Sequence, residues 1–325
     1  MALEPRLAFE SIAGQRPYQE DSVLARNLTD GRLLVAVADG MGGHAAGEVA
    51  SALALESLEA ALEEGHALDA AFALANAQVH ERAREPDKKG MGTTLTAVLV
   101  DDGEYFVANV GDSRGYLLTG EGIRQVTADH SFVAEAMKRG QTREEAMATP
   151  WRDALTRSIG TEPHVEVDVF GPFPVRDDSA LLICSDGLYK TLSDDDLQRI
   201  FLGAETVDVA AQTLVREALD SGSDDNISVA IAEFGEVPRA SAQATRPIDF
   251  EPPAGADPGS VTTPEPDAGD ETVLDLPSVE PSAAAGTSPT PAGRDAPMTD
   301  PVGPSVGLIL ALVAAVVVLV ALLTL

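Results

Sequence analysis

Apolar positions in the first 237 residues form two kinds of run. Short, nearly unbroken runs read as buried strands: 32–39 (RLLVAVAD), 93–100, 105–110, 114–118, 180–184 and 227–234. Residues 164–170 (HVEVDVF) alternate apolar with polar, as a half-buried strand does. Longer stretches carry helical spacing. Val49, Leu53, Leu55 and Leu58 recur through 48–64, and Leu68, Phe72, Leu74, Ala75 and Val79 mark one side of 69–84. Ser193 is placed to cap a helix running to Phe201, a further helix spans 207–219, and 132–139 and 142–148 read as short polar helices. Strands cluster between helix pairs rather than alternating with them one for one. That pattern predicts an α+β domain, helices covering an antiparallel sheet or sheet pair, and argues against a doubly wound parallel sheet.

Composition divides the chain in three. Residues 1–237 read as one catalytic domain. Residues 238–304 turn to Pro, Ala, Thr, Ser, Gly and acids, a linker too poor in apolar side chains for burial to offset the entropy of ordering it. Residues 305–325 carry no charge, and the 20 from Val306 to Leu325 would span roughly 30 Å as a helix, the thickness of the hydrocarbon core. A single-pass transmembrane tail anchor is expected there, with the catalytic domain in the cytoplasm, because the N-terminal stretch lacks the basic-then-apolar pattern of a secretory signal. One cysteine, Cys184, allows no intrachain disulfide; it lies inside an apolar strand and reads as a small core residue.

Charge narrows the function. The chain carries −31, and the linker's eleven acids against three bases leave most of that on the domain. Such a field repels nucleic acid and draws cations. Within the domain, acids recur at strand ends beside Gly or Asn: Glu20-Asp21, Asp39-Gly40, Gly111-Asp112, Asp186-Gly187 and Asp225-Asn226. A single Asp-Gly is most often a turn. Five acidic sites in one domain, three directly after buried strands, predict carboxylates aimed at a shared cleft, where they repel one another unless cations lie between them. Oxygen donors without Cys and with few His select Mg²⁺ or Mn²⁺ over Zn²⁺. Two such ions about 3.5–4 Å apart can share a water whose pKa falls toward neutrality. Hydrolysis then needs a cation to hold the phosphate and an acid for the leaving oxygen, and Arg16, four residues before Glu20, and His44, five after Asp39, could both reach the same cleft.

These residues sit in motifs: Gly14-Gln15-Arg16 leading to Glu20-Asp21, Ala38-Asp39-Gly40-Met41-Gly42-Gly43-His44, Gly90-Met91-Gly92-Thr93-Thr94, Gly111-Asp112-Ser113-Arg114, Cys184-Ser185-Asp186-Gly187-Leu188 and Asp225-Asn226-Ile227-Ser228. Six in this order, across 7–234, resemble the metal-dependent protein phosphatase 2C family, especially bacterial members that oppose Ser/Thr kinases. The resemblance implies a central β-sandwich flanked by helix pairs, with the metal centre at one end. It implies that Asp39 bridges two core ions, that the Gly40 carbonyl binds one, and that Asp186 and Asp225 complete the other. Glu20 is implied to act through water, Asp112 to join Asp186 at a third ion, Arg16 to grip the substrate phosphate, and His44 to protonate the departing Ser or Thr oxygen. Residues 131–160 match the family's flap beside the site, and Gln19 stands where the bacterial pattern usually has Asn. The expected activity is hydrolysis of phosphoserine and phosphothreonine on proteins. The alternative is a catalytically weak, metal-binding regulatory scaffold tethered to the membrane. Trp151 is expected to pack rather than recognise.

Overall fold

The structure, a computed structural model, describes residues 5–43, 45–235 and 237–238. His44, nearly all of the expected linker and the expected anchor at 305–325 lie outside the described residues, among which no helix is long and apolar enough to cross a membrane.

Two antiparallel sheets form the centre. The first runs β1 (Arg6–Ile12), β11 (Ile227–Gly235), β10 (Asp178–Cys184), β7 (Arg114–Thr119) and β8 (Gly122–Gln125). The second runs β2 (Asp21–Asn27), β3 (Leu33–Met41), β5 (Leu95–Asp101), β6 (Glu104–Val110) and β9 (Asp168–Pro174), with the two-residue β4 (Gly92–Thr93) pairing β3 off that path.

The unbroken apolar text of β3 follows from its place in this stack. Successive side chains of a strand point to opposite faces. Leu34, Ala36 and Ala38 join the layer of α1 (Ala45–Glu63) and α2 (Leu68–Arg82), with Leu58, Leu62, Phe72 and Val79. Leu33, Val35 and Val37 join the layer between the sheets, with Leu117, Leu181, Ile183 and Ala230. β10 divides in the same way: Ala180, Leu182 and Cys184 pack with α6 (Asp194–Gly203) and α7 (Val207–Asp220), and Leu181 and Ile183 pack between the sheets. Both strands are covered on both faces, so neither can carry polar residues at alternate positions. The result is the expected helix–sheet–sheet–helix stack.

Ser193 caps α6 as expected. Its hydroxyl accepts from the Asp196 N–H, and the Asp196 carboxylate accepts from the Ser193 N–H in return. Thr142 and Glu145 close the same kind of box on the short α4 (Arg143–Met147), which follows α3 (Phe132–Lys138). The expected strand over 164–170 is displaced. Val165 and Val167 do pack toward the α1–α2 layer, but pairing with β6 begins only at Asp168. The alternation is real there, and it records packing rather than a ladder.

Candidate metal centre

The acidic turns meet at one end of the sandwich. The β2–β3 register sets Asp21 directly opposite Asp39. Asp39 is fixed through its backbone: its N–H donates to Thr94 Oγ1 (2.9 Å), and its carbonyl accepts from Thr93 Oγ1 (2.9 Å). The next residue leaves no room for a side chain. A Cβ on Gly40 would stand 2.2 Å from the Gly47 carbonyl oxygen and 2.5 Å from that of Glu20, so the end of β3, the start of α1 and the Glu20 turn are packed backbone on backbone.

Asp186 opens the four-residue α5 (Asp186–Tyr189) directly after β10. A Cβ on Gly187 would lie 2.1 Å from the Asn226 carbonyl oxygen, which is how closely the Asp186 and Asp225 turns approach. The Asn226 side chain then staples the 13–20 loop to the centre. It accepts from the Glu20 N–H (2.8 Å) and donates to the carbonyls of Ala13 (3.0 Å) and Tyr18 (2.9 Å). Gln19 serves the same loop by donating to Ser11 Oγ (2.7 Å). Arg16 is held above the cluster by donating to the Asp224 carbonyl (2.9 Å) and to Asp225 Oδ2 (2.8 Å), with its side chain 49% exposed.

Electrostatics tie these acids into one set. Burial, then the charges of Asp21, Asp186, Asp112 and Asp225, hold the Asp39 carboxyl well above the ordinary range. Burial pushes Asp21 up to about 7 against the pull of the Ser228 and Ser185 hydroxyls, with Asp186 and Asp225 adding to the push. Burial and Asp186 push Asp112 up to about 7, against the pull of Lys190. Asp225 is raised by burial and by Asp186, partly offset by the Asn226 N–H and Arg16. The carboxylates nonetheless stand apart: among the described residues no three His, Cys, Asp or Glu side chains are close-set enough to enclose an ion.

A hard divalent cation fits this donor set. Asp21 Oδ1 and Asp186 Oδ1 are buried with no hydrogen-bond partner, while their sister oxygens accept from Ser185 Oγ (2.7 Å) and Lys190 Nζ (2.6 Å). A buried carboxylate oxygen without a donor is an unfavourable arrangement that a bound cation relieves. The available donors are all oxygens, since Cys184 is buried in β10 with its thiol pushed far up by burial.

Of the residues expected at the site, Asp39, Gly40, Asp112, Asp186, Asp225, Glu20 and Arg16 all fall at this end, whereas His44 lies outside the described residues. Two participants join them: Asp21, one of the strand-end acids but with no ligand role implied for it, and Lys190, which no motif marks. Asp21, 6% exposed, faces the other acids from the start of β2. Lys190 reaches the centre from the end of α5, where burial opposes its charge but Asp186, Asp112 and Asp153 outweigh that and hold the ammonium above its ordinary value. Trp151 corrects the expectation of packing: it is 63% exposed, in the segment whose Asp153 stands 3.9 Å from Lys190 Nζ.

Comparison with known proteins bears on the family. Residues 12–221 match the family model described as protein phosphatase 2C. The chain belongs to the protein phosphatase 2C family. Among protein phosphatase 2C relatives, it is 38% identical over 230 residues to the serine/threonine phosphatase stp of Listeria monocytogenes, covering 67% of this chain and 91% of that one. The S. agalactiae serine/threonine phosphatase structure superimposes with a TM-score of 0.66 at 31% identity, covering 71% of this chain and all of the other. The catalytic domain of the serine/threonine protein phosphatase PstP, solved with two manganese ions, is similar at a TM-score of 0.60 and 36% identity, covering 71% of this chain and 99% of that one.

Proposed function

We propose that this chain is a metal-dependent protein serine/threonine phosphatase that hydrolyses phosphoserine and phosphothreonine on proteins by direct attack of water. The observation that carries the reading is the set of mutually repelling carboxylates of Asp21, Asp39, Asp112, Asp186 and Asp225, buried at Asp21 and Asp186 and part-exposed at Asp225, with the half-exposed Arg16 guanidinium at its edge. Two Mn²⁺ or Mg²⁺ ions, when bound there, supply a water of lowered pKa and charge to offset that of the phosphate. Asp39, Asp186, Asp225 and the Gly40 carbonyl would hold them, with Glu20 acting through water.

The chain's own residues do the rest. Arg16 presents a planar fork of donors suited to a phosphate, and its anchorage to Asp224 and Asp225 orients it before substrate arrives. His44, next in sequence to the first residue of α1, serves as acid for the departing Ser or Thr oxygen. No side-chain nucleophile is needed, and the buried thiol of Cys184 is unsuited to be one.

Incubating the purified chain with a phosphothreonine peptide should release phosphate with Mn²⁺ and not with chelator. A chain that binds manganese and releases none is the regulatory scaffold instead.

The tail places this activity. The uncharged residues 305–325 are assigned as a single-pass anchor in the cell membrane, with the domain on the cytoplasmic side, where Ser/Thr kinases use ATP to make its substrates. Tethering raises the local concentration of the domain near those kinases and their targets. Deleting 305–325 should move the protein from the membrane pellet to the supernatant, and a truncated protein that still pellets would show the anchor lies elsewhere.

A further inference from the structure

Asp112 and Asp186 stand at the rim of the centre with a cation already beside them. Lys190 lies four residues after Asp186, one helical turn on, which brings both side chains to the same face of α5. Its Nζ is 2.6 Å from Asp186 Oδ2 and 3.9 Å from Asp153 Oδ1. The two oxygens of Asp186 thereby have different fates. Oδ2 is occupied by an ammonium, and Oδ1 is buried without a protein partner.

The backbone around this contact is braced. The Tyr189 hydroxyl donates to the Asp112 carbonyl (2.9 Å), so the residue before Lys190 is tied to the Asp112 loop. Arg114 lies 3.7 Å over the Tyr189 ring, and its fork is fixed on Asp129 by contacts of 2.7 to 3.2 Å. These contacts tie the end of α5 to the Asp112 loop, and Lys190 is held where Asp112 and Asp186 both feel its charge.

We propose that Lys190 is the resident counter-cation of the Asp112–Asp186 pair, its ammonium standing where those two carboxylates would otherwise take a third divalent ion. The inference rests on the reading of Asp39, Asp186 and Asp225 as ligands of two core ions, and it limits the chain to those two. A divalent ion between Asp112 and Asp186 would have to displace an ammonium already hydrogen-bonded to one of its own ligands, and the two cations would repel each other at short range.

The test counts ions and does not read activity. Tightly bound Mn²⁺ per full-length chain is measured by equilibrium dialysis and metal analysis, with and without Asp112→Asn, in three backgrounds: wild type, Lys190→Met and Lys190→Arg. The difference made by Asp112→Asn cancels manganese held loosely by the acidic surface. Expected is no change in wild type or Lys190→Arg, and the loss of one ion per chain in Lys190→Met. Lys190→Gln serves as a second uncharged variant and should behave like Lys190→Met. Loss of one ion on Asp112→Asn in wild type, or no loss in either uncharged variant, overturns the proposal. Asp39→Asn keeps the two readings apart, because if it removes no manganese from wild type, the assignment of the core ions fails first.

Discussion

Asp39→Asn should reduce manganese-dependent phosphate release by at least about 10³-fold, roughly 4 kcal/mol of transition-state stabilisation, while the folded domain persists. Asparagine keeps the shape of the side chain. It also leaves the backbone contacts with Thr93 and Thr94 intact, because those bonds use the N–H and carbonyl of residue 39. What is lost is the one carboxylate on which the charges of Asp21, Asp186, Asp112 and Asp225 all bear. A position that four acids destabilise as an anion is poorly placed for any purely structural role. It is well placed to neutralise divalent cations. The metal-free variant should therefore melt higher than the metal-free wild type, by about 2–4 °C for each kcal/mol of repulsion relieved. The paired readout is steady-state phosphate release with a phosphothreonine peptide and thermal melting in chelator. Activity within tenfold of wild type, or a lower metal-free Tm, would show that Asp39 is not the centre of the cluster.

The layers of this fold were readable because β3 and β10 are buried on both faces, so their apolar runs are long and unmistakable. β1 and β2 carry no strand signal in the sequence. Each ladders to a single strand of its own sheet, and only Ala8 and Asp21 in them are fully buried, which leaves little apolar pattern to read. The same gap left the role of Asp21 unassigned. Glu20 and Asp21 are adjacent acids, and the β2–β3 register selects Asp21 as the one opposite Asp39. Register is a pairing between distant segments, and local spacing does not contain it. Arg16 was visible as a cation near the acids, but its partner is Asp225 across the chain, not the nearby Asp21. Lys190 is unmarked in the sequence for a related reason. Its spacing from Asp186 is helical, yet α5 is only four residues long and contains a glycine, so nothing in the text marks it as a helix. The acid–glycine pairs were legible because they mark strand ends, and strand ends are where a sandwich gathers its turns.

Without metal, the protein should grow more stable as pH falls from 8 toward 5, opposite to the usual response of carboxylate-rich proteins to acid. Asp21 and Asp112 each rise from the ordinary value of 3.8 to about 7, and Asp39 moves in the same direction. Between about pH 4 and 7 the folded chain therefore holds protons that the unfolded chain has released. Stability is then greatest near the unfolded value and is lost as pH climbs through the folded one. A rise of that size corresponds to about 4 kcal/mol per group when taken singly, and less than the sum for acids that titrate against one another. Asp168 pulls the other way, since the His130 ring and Arg157 hold it at about 2 despite its partial burial, but its influence is confined to pH below about 4. The metal-free Tm should consequently drop by on the order of 10 °C between pH 5 and 8. Saturating Mn²⁺ should reverse that trend, because ions bind the deprotonated carboxylates that the bare fold disfavours. The manganese-induced rise in Tm will be larger at pH 8 than at pH 5. Repulsion among surface acids on a chain of −31 would give the same sign in chelator, but it is screened by salt, whereas a buried cluster is not. Melts in chelator at high ionic strength separate the two. A slope with pH that survives salt belongs to Asp21, Asp39 and Asp112, and one that vanishes belongs to the surface.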